Sequence, residues 1–299
     1  MKIAVFYYTQ SGQALEVAKS ICKPLVEEGI EVVYKEIRPR QAYPFPWDRY
    51  DFFDTFPETR LGLPPSGIHP IDCSDVEDAR LVMIVGQSWF LSPSLPLQSF
   101  FANSSIKSYL DGKDVVFVNA CRNMWLMTSR SVKAILAGTG ARLVGQIVMQ
   151  DEAPNLVSAV TIIRWLIYGK KEGTSLLPAS GISDRQMDGA SRFGKIIFSA
   201  CQGNNTAHLQ QQLLSAGAID YKPAVLHIEK IGHRMFGLWA RFIRKKGGFR
   251  DKRRKFRVNL FYSYLLIVLF LLSPLAQLFF YLTYPLQHVQ RNKIADCSV

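Results

Sequence analysis

The chain opens with Lys2-Ile3-Ala4-Val5-Phe6-Tyr7-Tyr8-Thr9-Gln10-Ser11-Gly12-Gln13-Ala14, where an apolar stretch runs into a short polar turn and then a helical pattern. The apolar residues predict a buried strand. Small hydroxyl residues and one glycine predict a turn whose backbone N–H groups face inward. A helix that starts at this turn adds unpaired amides and the positive end of its dipole. The stretch therefore predicts a phosphate-binding site at residues 9–14.

The turn lacks the marks of two common nucleotide motifs. It has neither the lysine of G-x-x-x-x-G-K-[ST] nor the three glycines of G-x-G-x-x-G, which disfavours ATP or NAD at this position. It is similar instead to the flavodoxin loop T-x-[ST]-G-x-[TA], which holds the terminal phosphate of FMN. An ordinary polar turn is the alternative. The similarity implies FMN as the cofactor, bound by Thr9, Gln10, Ser11, Gly12, Gln13 and Ala14.

Four further apolar runs have the length and composition of buried strands. They cover residues 30–37, 81–86, 115–120 and 143–149, with helices expected over 16–28, 131–137 and 184–201. This alternation predicts an α/β fold. Together with the loop, it indicates a flavodoxin-like doubly wound, five-stranded parallel sheet in the order 2-1-3-4-5, with ligands at the carboxyl ends of the strands.

The loops after the third and fourth strands offer groups suited to a flavin ring. Such a ring needs flat apolar partners for its faces and polar groups for its pyrimidine edge. Trp89, Phe90 and Trp125 can stack, although either tryptophan could simply pack on the sheet. The cofactor-binding residues predicted in these loops are Gln87, Ser88, Trp89, Phe90, Leu91, Cys121, Arg122, Asn123, Met124 and Trp125.

Two insertions stand out from the alternating pattern. Residues 39–70 hold seven of the fifteen prolines, and residues 43–56 hold seven aromatics. A long loop of this composition predicts a folded cover beside the flavin, with structural padding as the alternative. Residues 155–169 are apolar nearly all round a helix, which predicts a cover over an apolar pocket or a contact with a bilayer.

The positive charge is concentrated in one segment. Residues 230–257 contain twelve Lys or Arg and a single acid, whereas the 229 residues before them carry no net charge. Residues 258–290 then contain no Asp, Glu, Lys or Arg. This uncharged run predicts a membrane segment, with a buried core helix as the alternative. A basic segment beside a membrane helix indicates anionic lipid as its partner rather than nucleic acid. The positive-inside rule places the catalytic domain in the cytoplasm.

The predicted organisation has five parts. The flavodoxin-like FMN-binding domain covers 1–205, a connecting helical segment 206–229, the basic juxtamembrane segment 230–257, the membrane segment 258–290 and a short tail 291–299. Pro274 divides the membrane segment, so a kinked single span and a re-entrant hairpin both remain open. Five cysteines without a C-x-x-C pair predict neither a metal site nor a disulfide framework. No signal peptide is predicted.

Five stretches carry a resemblance to a known family, and they are residues 8–13, 44–47, 52–58, 92–96 and 122–125. On these stretches the first 205 residues resemble the flavodoxin-like family of dialkylresorcinol condensing enzymes, found beside ketosynthases in bacterial gene clusters. The resemblance implies aromatisation of a cyclohexanedione to a resorcinol, with FMN accepting a hydride and an unidentified base taking a proton. Tyr8, Asp54 and Glu58 are the candidate bases, with solvation at the surface as the alternative for either acid.

Two other functions fit the same sequence features. The first is a membrane-tethered flavodoxin or NAD(P)H:quinone reductase that passes electrons to a lipid-soluble acceptor or a redox partner. The second is a membrane adaptor that keeps the fold without a cofactor. Flavin colour in the purified protein separates the adaptor from the others, and reduction by NAD(P)H alone favours the reductase.

Overall fold

A computed structural model describes residues 1–203, 205–272 and 275. Its parallel strands are followed, on most of their connections, by helices, as the alternating pattern predicts. The strands are β1 (Lys2–Tyr7), β2 (Glu31–Glu36), β3 (Leu81–Trp89), β4 (Ser92–Pro93), β5 (Asp114–Cys121) and β6 (Arg142–Gln150).

The sheet has the order β2-β1-β3-β5-β6, and each neighbouring pair on this path is parallel. The two-residue strand β4 pairs antiparallel with the end of β3 and stands off this path. Without β4, the parallel strands follow the order 2-1-3-4-5. This is the flavodoxin order, so the predicted fold class is confirmed.

Helices cover both faces of the sheet. They are α1 (Gln13–Glu27), α2 (Arg49–Asp54), α3 (Phe56–Leu61), α4 (Leu95–Ala102), α5 (Ser104–Leu110), α6 (Leu126–Ala137), α7 (Asn155–Tyr168), α8 (Asp184–Gly189), α9 (Ser191–Gln202), α10 (Leu209–Ser215), α11 (Pro223–Arg244) and α12 (Lys255–Ile267). Short 3₁₀ turns occur at Ser74–Val76 and Lys252–Arg254, and a π-helical turn, Val268–Leu272, continues α12. The helix predicted over 184–201 is two helices, because it is interrupted after Gly189, a residue of low helix propensity.

Alternate residues of the strands face two separate cores. Ile3 and Val5 of β1 pack with α1 and α9, whereas Ala4 and Phe6 pack with α4 and α5 on the opposite face. Helix α9 approaches α1 so closely that a Cβ at Gly194 would lie 1.9 Å from the backbone oxygen of Ile21. The two cores fix the carboxyl ends of the strands that form the site.

The C-terminal helices form a third cluster with the first insertion. Phe56 of α3 stacks on Phe261 of α12 with ring centroids 3.7 Å apart, and Phe236 of α11 packs against both rings. Helix α11 runs as one helix through the predicted boundary between the segments 206–229 and 230–257. The apolar side of α11 packs on a single continuous surface.

One helix among the described residues, Lys252–Leu272, is long and apolar enough to cross a membrane, and 11% of its most apolar window is buried. Val258 and Phe261 dock its first turns on the domain, whereas Ile267 and Leu271 are exposed. The choice between a single span and a hairpin at Pro274 lies outside the described residues.

Candidate functional site

A cavity of about 320 Å³ lies at the carboxyl ends of β1, β3 and β5. The loops predicted to converge there do so, and most of the predicted cofactor-binding residues line the cavity. These are Gln10, Ser11, Gln13, Ala14, Gln87, Ser88, Trp89, Phe90, Leu91, Cys121, Arg122 and Met124. Thr9, Gly12, Asn123 and Trp125 are outside the lining.

The turn between β1 and α1 presents unpaired donors. Gly12 has a φ of 90°, a left-handed conformation that favours glycine, and its carbonyl accepts hydrogen bonds from the amides of Leu15 and Glu16. Within the described residues, the backbone amides of residues 11–14 have no acceptor. The buried hydroxyl of Thr9 also has no partner. Unpaired donors at a helix N-terminus are complementary to an oxyanion such as a phosphate.

Gln13 holds the neighbouring segment in place. Its side-chain amide donates to the carbonyl of Ile182 (Nε2 to O, 3.0 Å) and accepts from the amide of the same residue (3.1 Å). Gly181 lines the cavity beside it, and a Cβ there would lie 2.6 Å from Oε1 of Gln13. The side chain of Gln13 therefore anchors residues 181–182 over the phosphate loop, which leaves its backbone amide for a ligand.

The tip of the β3–β4 hairpin is strained and aromatic. Phe90 and Leu91 have φ values of 46° and 62°, which are unfavourable for residues with a Cβ. Trp89 makes edge-to-face contacts with Tyr43 and Trp47, at centroid distances of 5.3 and 5.8 Å. Phe90 lies 4.8 Å from Phe52. The first insertion therefore braces the hairpin, and its Phe45, Phe52 and Phe53 join the cavity lining.

The loop after β5 holds α7 over the cavity. Arg122 Nη1 donates to two oxygens of Asn155, the backbone oxygen (2.9 Å) and Oδ1 (3.0 Å), and to Oγ of Ser158 (3.1 Å). The side chain of Asn123 also donates to Oδ1 of Asn155 (2.7 Å). Burial lowers the pKa of Arg122 to about 10, so the guanidinium stays charged at neutral pH. Both side chains were predicted to meet the flavin edge; in the structure their hydrogen bonds go to the second insertion.

The interpretation of Trp125 as a stacking partner is not supported by its position. Its ring is 2% exposed and belongs to a cluster with Leu126, Met127, Val148 and Leu226. The residue precedes α6 and turns into the body of the protein, where Leu226 of α11 covers it. This position agrees with the alternative interpretation, in which Trp125 packs on the sheet.

Two of the candidate bases are held in ion pairs. Asp54 and Glu58 are each 1% exposed and accept from the fully buried guanidinium of Arg254, at 2.6 Å (Nε to Oδ1) and 2.7 Å (Nη1 to Oε1). Arg244 adds a contact to Glu58 at 2.9 Å. Neither acid lines the cavity. The third candidate, Tyr8, is buried against Trp89, and burial raises its pKa well above the usual value.

The basic segment is therefore not wholly available to lipid. Arg244 and Arg254 neutralise buried acids of the first insertion, and Arg60 of that insertion donates to the carbonyl of His233 in α11 (Nε to O, 3.0 Å). Lys245, Lys246 and Lys252 are exposed.

Part of the lining was missed from the sequence. Asp151 follows β6 directly, is 2% exposed and accepts from the amides of Ala153 and Gly181. An acid at the carboxyl end of β6, the fifth parallel strand, could have indicated a residue of the site. The contribution of α11 and α12 to the lining was also missed, although Ile228, Gly232 and Phe236 recur at four-residue spacing. The lining residues from these C-terminal elements are Ile228, Gly232, Phe236, Leu265, Leu266, Val268 and Leu269.

Glu229 links α11 to the loop after β5. Its fully buried carboxylate accepts from the amides of Leu126 (3.2 Å) and Met127 (2.7 Å), and so caps α6, which has no side-chain cap of its own. Burial raises the pKa of Glu229 to about 7, against the opposing effect of these amides. The pKa of Cys121 is also raised by burial, which makes its thiol a poor nucleophile.

No protein-family model matches the sequence, and no curated protein matches it either. Several solved structures are similar. A flavodoxin from the domain Archaea is 12% identical, with a TM-score of 0.38, over 68% of this chain and 99% of that chain. A flavoprotein from Lactobacillus acidophilus NCFM, solved with FMN, is 18% identical, with a TM-score of 0.40, over 49% and 92%. RosB, solved with 8-demethyl-8-formylriboflavin-5′-phosphate, is 12% identical, with a TM-score of 0.40, over 79% and 86%.

At this level of similarity, the three proteins do not identify the ligand or the reaction of this chain. The flavodoxin-like assignment stands on the strand order, which is that of a doubly wound sheet with its ligand site at the switch between β1 and β3. The resemblance to dialkylresorcinol condensing enzymes stays a prediction.

Proposed function

We propose that this chain is a membrane-associated oxidoreductase that binds FMN non-covalently and acts on a hydrophobic ring compound. One observation carries the proposal: a single cavity joins an unpaired anion-binding turn, 9–14, to apolar walls from a helix long enough to cross a membrane. The first feature fits a flavin phosphate and the second fits a lipid-soluble substrate. The cavity volume lies at the lower end of the range usual for cofactor sites.

The residues present fit FMN. The amides of residues 11–14 and the Thr9 hydroxyl would hold the phosphate, because they are donors without acceptors in this structure. Trp89 and Phe90 are flat apolar partners for the ring, and Gln87 and Ser88 supply polar groups beside them. FMN, when bound, supplies a hydride acceptor.

The reaction that we propose is the aromatisation implied by the family resemblance. Dehydrogenating a cyclohexanedione to a resorcinol removes a hydride, taken by the flavin, and a proton, taken by a base. With Asp54 and Glu58 held in ion pairs, Asp151 is the one carboxylate among the described lining residues and the first group to test as proton acceptor. Alkyl chains on the ring would lie along Phe52, Phe53 and the α12 residues.

A quinone reductase is the second candidate, because the same apolar walls fit a quinone ring. A carrier that exchanges electrons with a protein partner is disfavoured, since the first insertion, α7 and α11 all cover the cavity. The two remaining reactions differ in what reduces the flavin. A cyclohexanedione reduces it in the aromatase, whereas NAD(P)H alone reduces it in the reductase.

The deciding experiment is the absorption spectrum of the full chain purified in detergent, with mass identification of the released cofactor. We expect a flavin spectrum and FMN. Gly12→Val should abolish the flavin spectrum, because valine is strained at a φ of 90° and would distort the turn whose amides are expected to hold the phosphate. Gly29→Val is the matched control, with a φ of 78° and equally open surroundings at the far end of α1. A colourless wild type, or full flavin in Gly12→Val, contradicts the proposal.

A further inference from the structure

An apolar stripe runs along the outer face of α11. Ile231, Met235, Leu238 and Phe242 are 50%, 37%, 58% and 39% exposed, and their spacing of four, three and four residues places them on one side of the helix. The opposite side packs on the domain. A row of large exposed apolar side chains on a folded domain marks an interaction surface.

Exposed cations accompany the stripe. Arg234, Arg241 and Lys245 lie beside it in the helical repeat, and the one acid of α11, Glu229, is buried. An apolar stripe bordered by cations without acids has the composition of a helix that lies in a membrane interface. A second copy of this chain fits less well, because a symmetric contact through the stripe would bring the same cations together.

The stripe is continuous with the helix that could cross a membrane. Arg257 of α12 lies over the ring of Phe242 at 4.0 Å, and Trp239 of α11 lies 4.9 Å from Tyr264 of α12. Beyond these contacts α12 exposes Leu260 and Ile267. The two helices are joined by the aromatic cluster, and Arg244 and Arg254 both pair with Glu58 of α3.

We propose that α11 lies flat in the interface of an anionic bilayer, with the stripe among the acyl chains and Arg234, Arg241 and Lys245 at the headgroups. The inner side of the same helix lines the cavity through Ile228, Gly232 and Phe236. One helix thus separates the bilayer from the cavity. On the proposed function, a membrane-dissolved substrate would need to pass only α11 to reach the site. The docking surface is independent of the identity of the cofactor.

The test uses the full chain in nanodiscs of phosphatidylglycerol and phosphatidylcholine, with a bimane label on Leu238→Cys. Val26→Cys, which replaces an equally exposed apolar residue on α1, is the control, and the labelled unsubstituted chain gives the background from native cysteines. We expect lipids brominated in the acyl chain to quench the label at 238 severalfold more than the label at 26. Iodide in the water should show the reverse order.

Quenching of position 238 by iodide and not by brominated lipid overturns the proposal. Shielding from both quenchers also overturns it, and self-quenching that grows with protein per disc then identifies a second copy as the occupant. A triple variant, Arg234→Gln with Arg241→Gln and Lys245→Gln, tests the charge. It should reduce the brominated-lipid quenching in anionic discs, and no reduction overturns the assignment to anionic lipid.

Discussion

The polar and apolar parts of the cavity lining are built in different ways. The polar part comes from short loops that directly follow β1, β3, β5 and β6, and it needs only the sheet to bring them together. The apolar part comes from two insertions and from α11 and α12, which are held by contacts between residues up to 200 positions apart. The comparison shows that neighbouring loops can build a polar wall, whereas an apolar wall depends on segments that are distant in the chain.

The largest expected effect tests whether long-range ion pairs hold the apolar part together. Arg254→Met leaves Asp54 and Glu58 buried beside a neutral side chain, which should lower the free energy of unfolding by about 3–5 kcal/mol. Chemical unfolding of the detergent-purified chain measures it. Arg253→Met, at an exposed neighbour, is the control and should behave as the wild type. Equal stability of the two variants would mean that the ion pairs do not hold α12.

The next prediction concerns pH and the link between the two parts. The pKa of Glu229, raised from 4.5 to about 7 by burial, means that the folded state binds its proton more tightly than the unfolded state. The stabilisation that this tighter proton binding gives is fully present below pH 4.5 and is lost as pH rises through 7. The free energy of unfolding should fall by about 3 kcal/mol over this range. Glu229→Gln should flatten the pH dependence of unfolding over this window.

Glu28→Gln, at an exposed acid directly after α1, serves as the control for Glu229→Gln and should leave the pH profile unchanged. If the wild type and Glu229→Gln follow parallel curves, Glu229 does not titrate in this window. The link between α11 and the loop after β5 would then be insensitive to pH.

The smallest expected effect contrasts the two predicted stacking residues. Trp89 lines the cavity and Trp125 does not, so Trp89→Phe should weaken FMN binding by about 0.5–1.5 kcal/mol and shift the flavin reduction potential. Trp125→Phe should leave both unchanged. Flavin titration and spectroelectrochemistry provide the measurements. A larger shift from Trp125→Phe would reverse the assignment made from the structure.

The sequence predicted the polar part better than the apolar part. Thr9, Ser11 and Gly12 could be recognised because a strand, a turn and a helix follow each other without interruption. Arg122 was placed at the right edge of the sheet, but its partners on α7 lie 33 and 36 residues away and leave no local pattern. Asp54 and Glu58 were predicted as candidate bases. Their ion pairs could not be recognised from the sequence, because the partner, Arg254, is about 200 residues away.

By itself, the sequence determined the parallel sheet, the unpaired turn after β1 and the apolar helix near the C-terminus, since each follows from periodicity and turn chemistry within a short stretch. The tertiary structure alone decided that α11 and α12 complete the cavity wall, that Arg254 neutralises the acids of the first insertion and that Trp125 turns away from the cavity. These outcomes depend on which surfaces meet when the chain folds. Burial and charge pairing between distant residues select those surfaces, and no local pattern encodes the selection.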